Sequence, residues 1–192
     1  MRGAALVLVS VCAGCTPSAA ARTDGGDASR GAAPSTGDAG NLQPPSDVPA
    51  DDALPPATSD DLTTRSRHLL EAIAQDDPAL ATDVLFPRDA YMQVKDGPDP
   101  GKQWDGKVQP QFSREVHALH KRTKGVERAV FVSFDIGEPV VQAIPKKHDL
   151  KRTLWRVRHS RLTFTVEGKA QHFDVLELTS WRGAWYVTKL RS

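Results

Sequence analysis

The chain has 192 residues and a formal net charge of +1, from 25 Lys and Arg against 24 Asp and Glu. This length suits one domain with an extension, and the balanced charge gives no overall field of the kind that nucleic-acid-binding proteins use. Residues 16–60 carry a net charge of −5, whereas all twelve aromatic residues lie in residues 61–192. Two full globular domains, a disulfide-stapled miniprotein and a protein with several membrane spans are therefore excluded.

The amino terminus has the features of an export signal. Arg2 gives a positive start, and residues 4–11 form a short run of mostly small and apolar side chains. This run is too short for a transmembrane helix, whereas a secretory signal needs only about 7–15 apolar residues. We therefore expect an exported protein.

The segment Val11-Cys12-Ala13-Gly14-Cys15 resembles a bacterial lipobox, in which small residues precede a cysteine that is acylated and becomes the mature first residue. The resemblance implies a signal peptide and lipobox in residues 1–15, lipid attachment at Cys15 and a place in the cell envelope. It also implies the outer membrane of a Gram-negative cell, because Thr16 and not Asp follows. Cys12 departs from the pattern, which prefers an aliphatic residue. The alternative is ordinary secretion, with cleavage after Ala21 and loss of both cysteines.

Residues 16–58 have the composition of a disordered tether. Pro and Gly supply twelve of the 45 residues from position 16 to position 60, and no helix or strand periodicity is present. A segment so poor in apolar side chains cannot bury enough surface to offset its chain entropy. We expect a spacer between the anchor and a single globular domain in residues 59–192.

The first part of this domain predicts helices. Ser59 is a suitable cap for a helix that runs to about Gln75, and Asp77-Pro78 predicts the start of a second, short helix. A third helix is expected over residues 109–124. The residues expected to face inward are Leu62, Leu69, Leu70, Ile73, Leu80, Val84, Leu85, Phe112, Val116 and Leu119.

The remainder predicts strands. A short strand at residues 91–94 and a loop at residues 96–101 lie before the third helix. Alternating patterns then predict strands at residues 128–136, 140–144, 152–166, 169–181 and 184–191. Glu167-Gly168 and Arg182-Gly183 have the composition of two-residue hairpin turns.

Helices before a run of antiparallel strands predict an α+β domain, with the helices packed on one face of a curved, mainly antiparallel sheet. This order of elements, with a tryptophan-containing last strand that includes Trp185, resembles the nuclear transport factor 2-like superfamily. The resemblance implies a cone-like fold with a pocket between the sheet and the helices. Members include small-molecule isomerases and dehydratases as well as binding modules without catalysis. Their convex sheet face often forms a dimer surface, so the resemblance allows a homodimer.

The two turns also predict a register. With Glu167-Gly168 as a two-residue turn, Arg158 lies opposite Glu177, and opposite charges then meet across the strands. Strict alternation puts this pair on the face of Leu162, with Val157 on the other face. The further pairs expected are Arg161 with Asp174, Tyr186 with Thr179, Thr188 with Glu177 and Arg191 with Asp174.

Metal and cofactor motifs are weak. His117 and His120 are three residues apart on the third helix, a spacing that can bring two imidazoles to one metal ion. The sequence shows no third ligand, so a solvated helix face is the favoured interpretation. The aspartates at positions 96, 99 and 105 lack the spacing of a calcium loop, which favours a turn. We predict no metal, no cofactor and no nucleic-acid partner.

Two functions of different classes fit the sequence. The first is a binding or assembly module of the cell envelope, for a small ligand or a protein partner, because no catalytic motif is recognisable. The second is an isomerase- or dehydratase-type enzyme with Glu177 as its base and Arg158, Arg156 and Tyr186 as neighbours. The enzyme requires Glu177 to face an enclosed cavity. An exposed Glu177 on the convex face would remove this catalytic candidate.

Overall fold

The computed structural model describes residues 50, 52–145 and 149–191. The expected lipid attachment at Cys15, the signal over residues 1–15 and nearly all of the tether lie outside the described residues. The described residues belong to one compact unit, Gln43–Ser192. Within these ranges no helix has the length and apolar character that crossing a membrane requires.

The helical part comes first, as expected. Helix α1 (Asp60–Gln75) starts after Ser59, whose hydroxyl accepts a hydrogen bond from the Leu62 N–H at 3.0 Å. The short helices α2 (Arg88–Val94) and α3 (Pro100–Gln103) follow. A π-helical turn then continues α3 into α4 (Gln109–Arg122). The inward stripes expected for the first and third helices are buried.

Two expectations for this part are wrong. The residues predicted as a strand at 91–94 belong to α2, where Ala90 and Val94, four positions apart, share one buried face. Asp77-Pro78 starts only a 3-10 turn, Pro78–Ala81, which turns more tightly than an α-helix. Leu80 is consequently exposed, whereas Val84 and Leu85 are buried.

The strands form a curved, open antiparallel sheet, which confirms the mixed α+β class. Its order is β1-β3-β4-β5, and β2 pairs with the same edge of β3 as β1. These strands are β1 (Val130–Asp135), β2 (Val141–Ala143), β3 (Leu154–Val166), β4 (Lys169–Trp181) and β5 (Ala184–Leu190).

Hydrophobic cores lie on both faces of the sheet. The larger core joins α1 and α4 to the face that carries Val157 and Leu178. We name this face the inner face and its opposite the outer face. A smaller core packs α2 against Leu154 and Trp181, which alternation places on the outer face. Both cores draw their buried residues from positions 62–190.

A buried carboxylate joins α4 to the last strand. Glu115 is only 8% exposed, and its Oε2 accepts a hydrogen bond from the Leu190 N–H at 2.8 Å. Its Oε1 accepts another from Gln111 Nε2, also at 2.8 Å. The carboxylate thus satisfies the Leu190 N–H, which burial would otherwise leave unpaired, and both of its own oxygens accept a hydrogen bond.

The predicted register is confirmed for the β3–β4 hairpin and for Tyr186 with Thr179, but the predicted pairing of Thr188 with Glu177 is wrong. Both turns have positive φ at their two central residues, which matches the twist of the flanking strands. Arg158 pairs with Glu177, and Arg161 with Asp174. Tyr186 pairs with Thr179, and the Arg191 N–H donates to the Asp174 carbonyl at 3.2 Å. The Thr188 hydroxyl hydrogen-bonds Glu177, although the ladder pairs Glu177 with Lys189.

Side-chain alternation breaks along one line across β3, β4 and β5. The ladders skip His159, Leu176 and Thr188, and His159 has a φ of 60°. We name this line the crease. On each strand, the buried inner-face residues on either side of the crease are three apart and not two. These residues are Val157 and Ser160, Val175 and Leu178, and Val187 and Leu190.

The crease makes the predicted faces wrong. Strict alternation placed Arg158 and Glu177 on the face of Leu162. The extra residue at the crease instead turns both onto the outer face and brings Val157 into the main core. The register survives because β3 and β4 each insert one residue at the same level.

The segment after β1 approaches the β3 backbone closely at the crease. The Gly137 N–H donates to the hydroxyl of the fully buried Ser160 at 3.1 Å. A Cβ at position 137 would overlap the carbonyl oxygen of Arg158 and lie 2.9 Å from the carbonyl carbon of His159. The backbones therefore approach as closely as they do only because residue 137 is glycine.

We expect Gly137→Ala to destabilise the domain by about 3 kcal/mol, because the new methyl group must displace backbone and not a flexible side chain. Urea unfolding followed by tryptophan fluorescence measures the change. Gly106→Ala is the matched control, since no atom lies within 4 Å of its Cβ position in the π-helical turn. It should be neutral or stabilising by up to about 1 kcal/mol. Equal stability of the two variants would contradict the close approach.

Candidate functional site

The crease gathers charged side chains on the outer face. Glu177 stands on β4, with Arg158 opposite it on β3 and Lys189 opposite it on β5. Arg156 lies two residues before Arg158 and shares its face. Three cations from two strands thus surround one carboxylate.

Glu177 is held by both arginines. Its Oε1 lies 3.5 Å from Arg156 Nε, and its Oε2 lies 3.5 Å from Arg158 Nε. The Thr188 hydroxyl donates to Oε1 at 3.2 Å and to the Glu177 carbonyl, also at 3.2 Å. The Glu177 side chain is 21% exposed, so its charge is balanced by neighbours more than by water.

The two arginines differ in their surroundings. The Arg158 side chain is 67% exposed, whereas that of Arg156 is largely buried. Arg156 Nε is buried and makes no hydrogen bond within the described part of the chain. An unsatisfied buried donor is unfavourable, so an acceptor that reached this nitrogen would stabilise the site.

Two adjoining depressions lie beside this cluster. One has a volume of about 370 Å³, with the β2 segment forming an apolar wall through Pro139, Val141 and Ala143. The other, of about 300 Å³, contains Glu177 and Lys189. Both are lined by Arg158 and His159, so we treat them together as the outer groove.

Tyr186 takes part in different contacts from the other expected site residues. Its ring packs edge-to-face on Phe86, with centroids 5.9 Å apart. The Arg65 guanidinium lies over the same ring, 4.3 Å from its centroid. The structure therefore brings together Glu177, Arg156 and Arg158 and packs the Tyr186 ring against the smaller core on the outer face, beside the Arg65 guanidinium.

The arrangement suits binding better than proton transfer. A general base needs a carboxylate oxygen that is free to reach the substrate proton. Each oxygen of Glu177 faces an arginine, and Oε1 also accepts from Thr188. The groove beside it is open and lies on the face opposite α1 and α4.

The two histidines of α4 have structural partners. His117 Nδ1 lies 2.6 Å from Asp76 Oδ1, and His120 Nδ1 lies 2.9 Å from the Ile73 carbonyl oxygen. Both contacts connect α4 to the end of α1. The hydrogen bond from His117 holds the pKa of the Asp76 carboxyl below its ordinary value.

The aspartates of the loop are occupied as well. Asp96 accepts a hydrogen bond from the Gly97 N–H, and Asp99 caps α3 through the Lys102 N–H. Asp105 forms a bidentate ion pair with Arg88, and both hydrogen bonds measure 2.8 Å. Across residues 50, 52–145 and 149–191, no three metal-binding side chains cluster together.

The sequence interpretation missed the apolar wall of the groove. Val141 was assigned only to a strand, and its exposure follows from the position of β2 as a short edge strand. The signal available in the sequence was the apolar run at residues 139–141, directly after Glu138. Alternation predicts neither the exposure of this apolar run nor its place beside Arg158.

Comparisons with protein-family models, with curated proteins and with solved structures found no match to this chain.

The Asp76 contact predicts a pH effect. Because the pKa of Asp76 is lower in the folded chain than its ordinary value of 3.8, its stabilising effect is complete above about pH 4. It is lost as the pH falls through the lower folded value. We expect Asp76→Asn to be less stable than the natural chain at about pH 7, and the difference to shrink as the pH falls below about 4. Urea midpoints across this range provide the measurement.

Asn is the suitable replacement because residue 76 has a φ of 55°, which Asn tolerates. In a His117→Ala background the same substitution should leave the pH dependence nearly unchanged, because the interacting partner is gone. An unaltered acid slope in the single variant would contradict the contact.

Proposed function

We propose that this chain is a cell-envelope lipoprotein whose domain binds a small ligand with an apolar body and an anionic group, without catalysis. The observation that carries the proposal is the mixed lining of the outer groove. Val141 and Ala143 supply an apolar wall, and Arg156 and Arg158 supply cations at its end. A pocket with a largely apolar lining and a few convergent polar groups is the usual form of a small-molecule site.

The free donors of the groove favour an anion. Arg158 on β3 has most of its side chain in solvent, and Lys189 on β5, opposite Glu177, is also exposed. Glu177 neutralises at most one of the three cations around it. A ligand carboxylate would add a charge-assisted hydrogen bond at Arg158 and leave the Glu177 contacts in place.

The enzyme alternative keeps Glu177 as its base. It requires a substrate that displaces Arg156, Arg158 and the Thr188 hydroxyl from the carboxylate. It also requires the Tyr186 hydroxyl to reach the substrate while the ring of this residue packs on Phe86 and Arg65. The binding function needs neither change.

The finer fold assignment is also a proposal. We infer a cone-like fold of the nuclear transport factor 2-like type from the order of elements. In its support, the chain at Leu85 forms an isolated parallel bridge to Val187 in the last strand. The larger core between α1, α4 and the inner face is compatible with this fold.

The anchor part rests on the sequence Ala13-Gly14-Cys15 and on the composition of residues 16–58. An acylated Cys15 gives stable membrane attachment when it carries more than one acyl chain. The expected location is the cell envelope, at the outer membrane of a Gram-negative cell.

Mass spectrometry of the mature amino terminus tests the anchor. We expect a chain that begins at Cys15 and carries acyl groups. Cys15→Ser should abolish acylation, whereas Cys12→Leu, which approaches the lipobox pattern, should keep it. An unmodified mature chain beginning at Arg22 would show that the anchor is wrong.

Calorimetry with octanoate tests the groove. We expect saturable binding that is at least about tenfold tighter than that of octanol, because only octanoate pairs with Arg158. Arg158→Gln should weaken octanoate binding about tenfold and leave octanol unaffected. Arg161→Gln is the matched control, an arginine of similar exposure on the same strand, paired with Asp174. Equal affinities in both variants would contradict the proposed site.

A further inference from the structure

A short segment before α1 is fastened across the sheet by two indoles. The Trp155 Nε1–H donates to the Asp52 carbonyl at 2.9 Å. The Trp185 Nε1–H donates to the Pro56 carbonyl at 3.1 Å. Between these bonds Pro55 is buried, whereas Leu54 and Pro56 are exposed. We name residues 52–56 the strap.

The two tryptophans lie on either side of a small residue of the sheet, and we name Trp155, Ser180 and Trp185 together the slot. Trp155 lies on β3 and Trp185 on β5, with Ser180 of β4 between them. Ser180 pairs with Trp185 in the ladder, and its hydroxyl accepts a hydrogen bond from the Trp155 N–H at 2.8 Å. Ser180 has a small, fully buried side chain, and Pro55 is the buried residue of the strap between the two carbonyls that the indoles hold.

The strap chemistry matches a known way of binding extended peptides. A residue that precedes proline is restricted to extended conformations, so Leu54-Pro55-Pro56 is preset in an open, polyproline-like form. Such a segment exposes carbonyl oxygens without internal partners. Aromatic grooves recognise it by packing on a proline ring and donating hydrogen bonds to those carbonyls.

We propose that the Trp155–Ser180–Trp185 slot is a proline-peptide-binding site that the strap occupies in cis. Its intended occupant is an extended, proline-containing segment of a partner protein, which takes the place of the strap. The indoles contact backbone carbonyls and the slot takes one proline ring. The site therefore selects an extended segment with a proline at one position and depends little on the other side chains of that segment. This site belongs to the inner face and is independent of the outer groove.

The strap competes with the partner segment for the slot. A segment joined to the domain by a short link competes at an effective concentration in the millimolar range. A partner segment of equal affinity is therefore excluded until the strap is weakened or the partner is itself concentrated. Release of the strap also frees five residues, about 17 Å of extended chain, from the surface of the domain.

The test uses a peptide with the sequence of residues 52–58, added to the full chain with Pro55→Ser. The two indole N–H signals in NMR spectra report the site. Weakening the strap should shift both signals, and the peptide should return them towards their positions in the natural chain with saturable binding. A peptide with serine in place of the proline at position 55 should bind at least about tenfold more weakly. An isotope-labelled peptide, followed by its own signals, should bind the natural chain at least about tenfold more weakly than the variant.

Leu54→Ser is the matched control, because Leu54 is the exposed neighbour of the buried proline. It should leave both indole signals in place and bind the peptide no better than the natural chain. Binding of both peptides with equal affinity, or no response of the Pro55→Ser chain to the peptide, would overturn the proposal. Should that variant fail to fold, millimolar peptide added to the natural chain decides the question. The signals of an isotope-labelled peptide are the readout there, because the indoles keep the same environment when the peptide replaces the strap; a saturable shift of the peptide signals supports the site, and unchanged peptide signals overturn it.

Discussion

The close passage of Gly137 over β3 is the constraint on which the rest of the domain depends. Its backbone lies so close to Arg158 and His159 that any side chain at position 137 would overlap their backbone, and its N–H donates to the buried hydroxyl of Ser160. The strand beneath bends at His159, with neighbouring irregularities on β4 and β5. One close contact therefore coincides with a shift of phase in three strands. This shift lets α1 and α4 cover one face while α2 covers part of the other.

Much of the fold was accessible from the sequence because short-range rules determine it. Two-residue turns fix strand pairing, so the register of β3, β4 and β5 followed from Glu167-Gly168 and Arg182-Gly183. Cap chemistry likewise placed the start of α1. The faces were not accessible, because alternation assumes two residues per repeat and the positive φ of His159 is set by a tertiary contact. Residues 91–94 were misassigned since a short apolar run fits either a strand or a helical turn.

The candidate site shows the same division. The pairing of Arg158 with Glu177 came from register, but the place of the pair on the outer face came from the crease. The role of the carboxylate changes with that placement. On the inner face it would have been enclosed between the sheet and the helices, where an ionised group needs a dedicated partner. On the outer face it holds two guanidinium groups apart at an open groove, and Arg158 keeps donors directed towards solvent.

The strap also determines how the domain bears mechanical load. Tension from the amino-terminal side reaches the bonds from Asp52 to Trp155 and from Pro56 to Trp185 before it reaches the cap of α1. Those bonds pass the force to β3 and β5, two strands separated by β4 in the middle of the sheet. A helix pulled from its end frays turn by turn, whereas a sheet loaded on two strands resists as a unit. A pull from the amino-terminal side is therefore distributed over two strands of the sheet before it reaches the first helix.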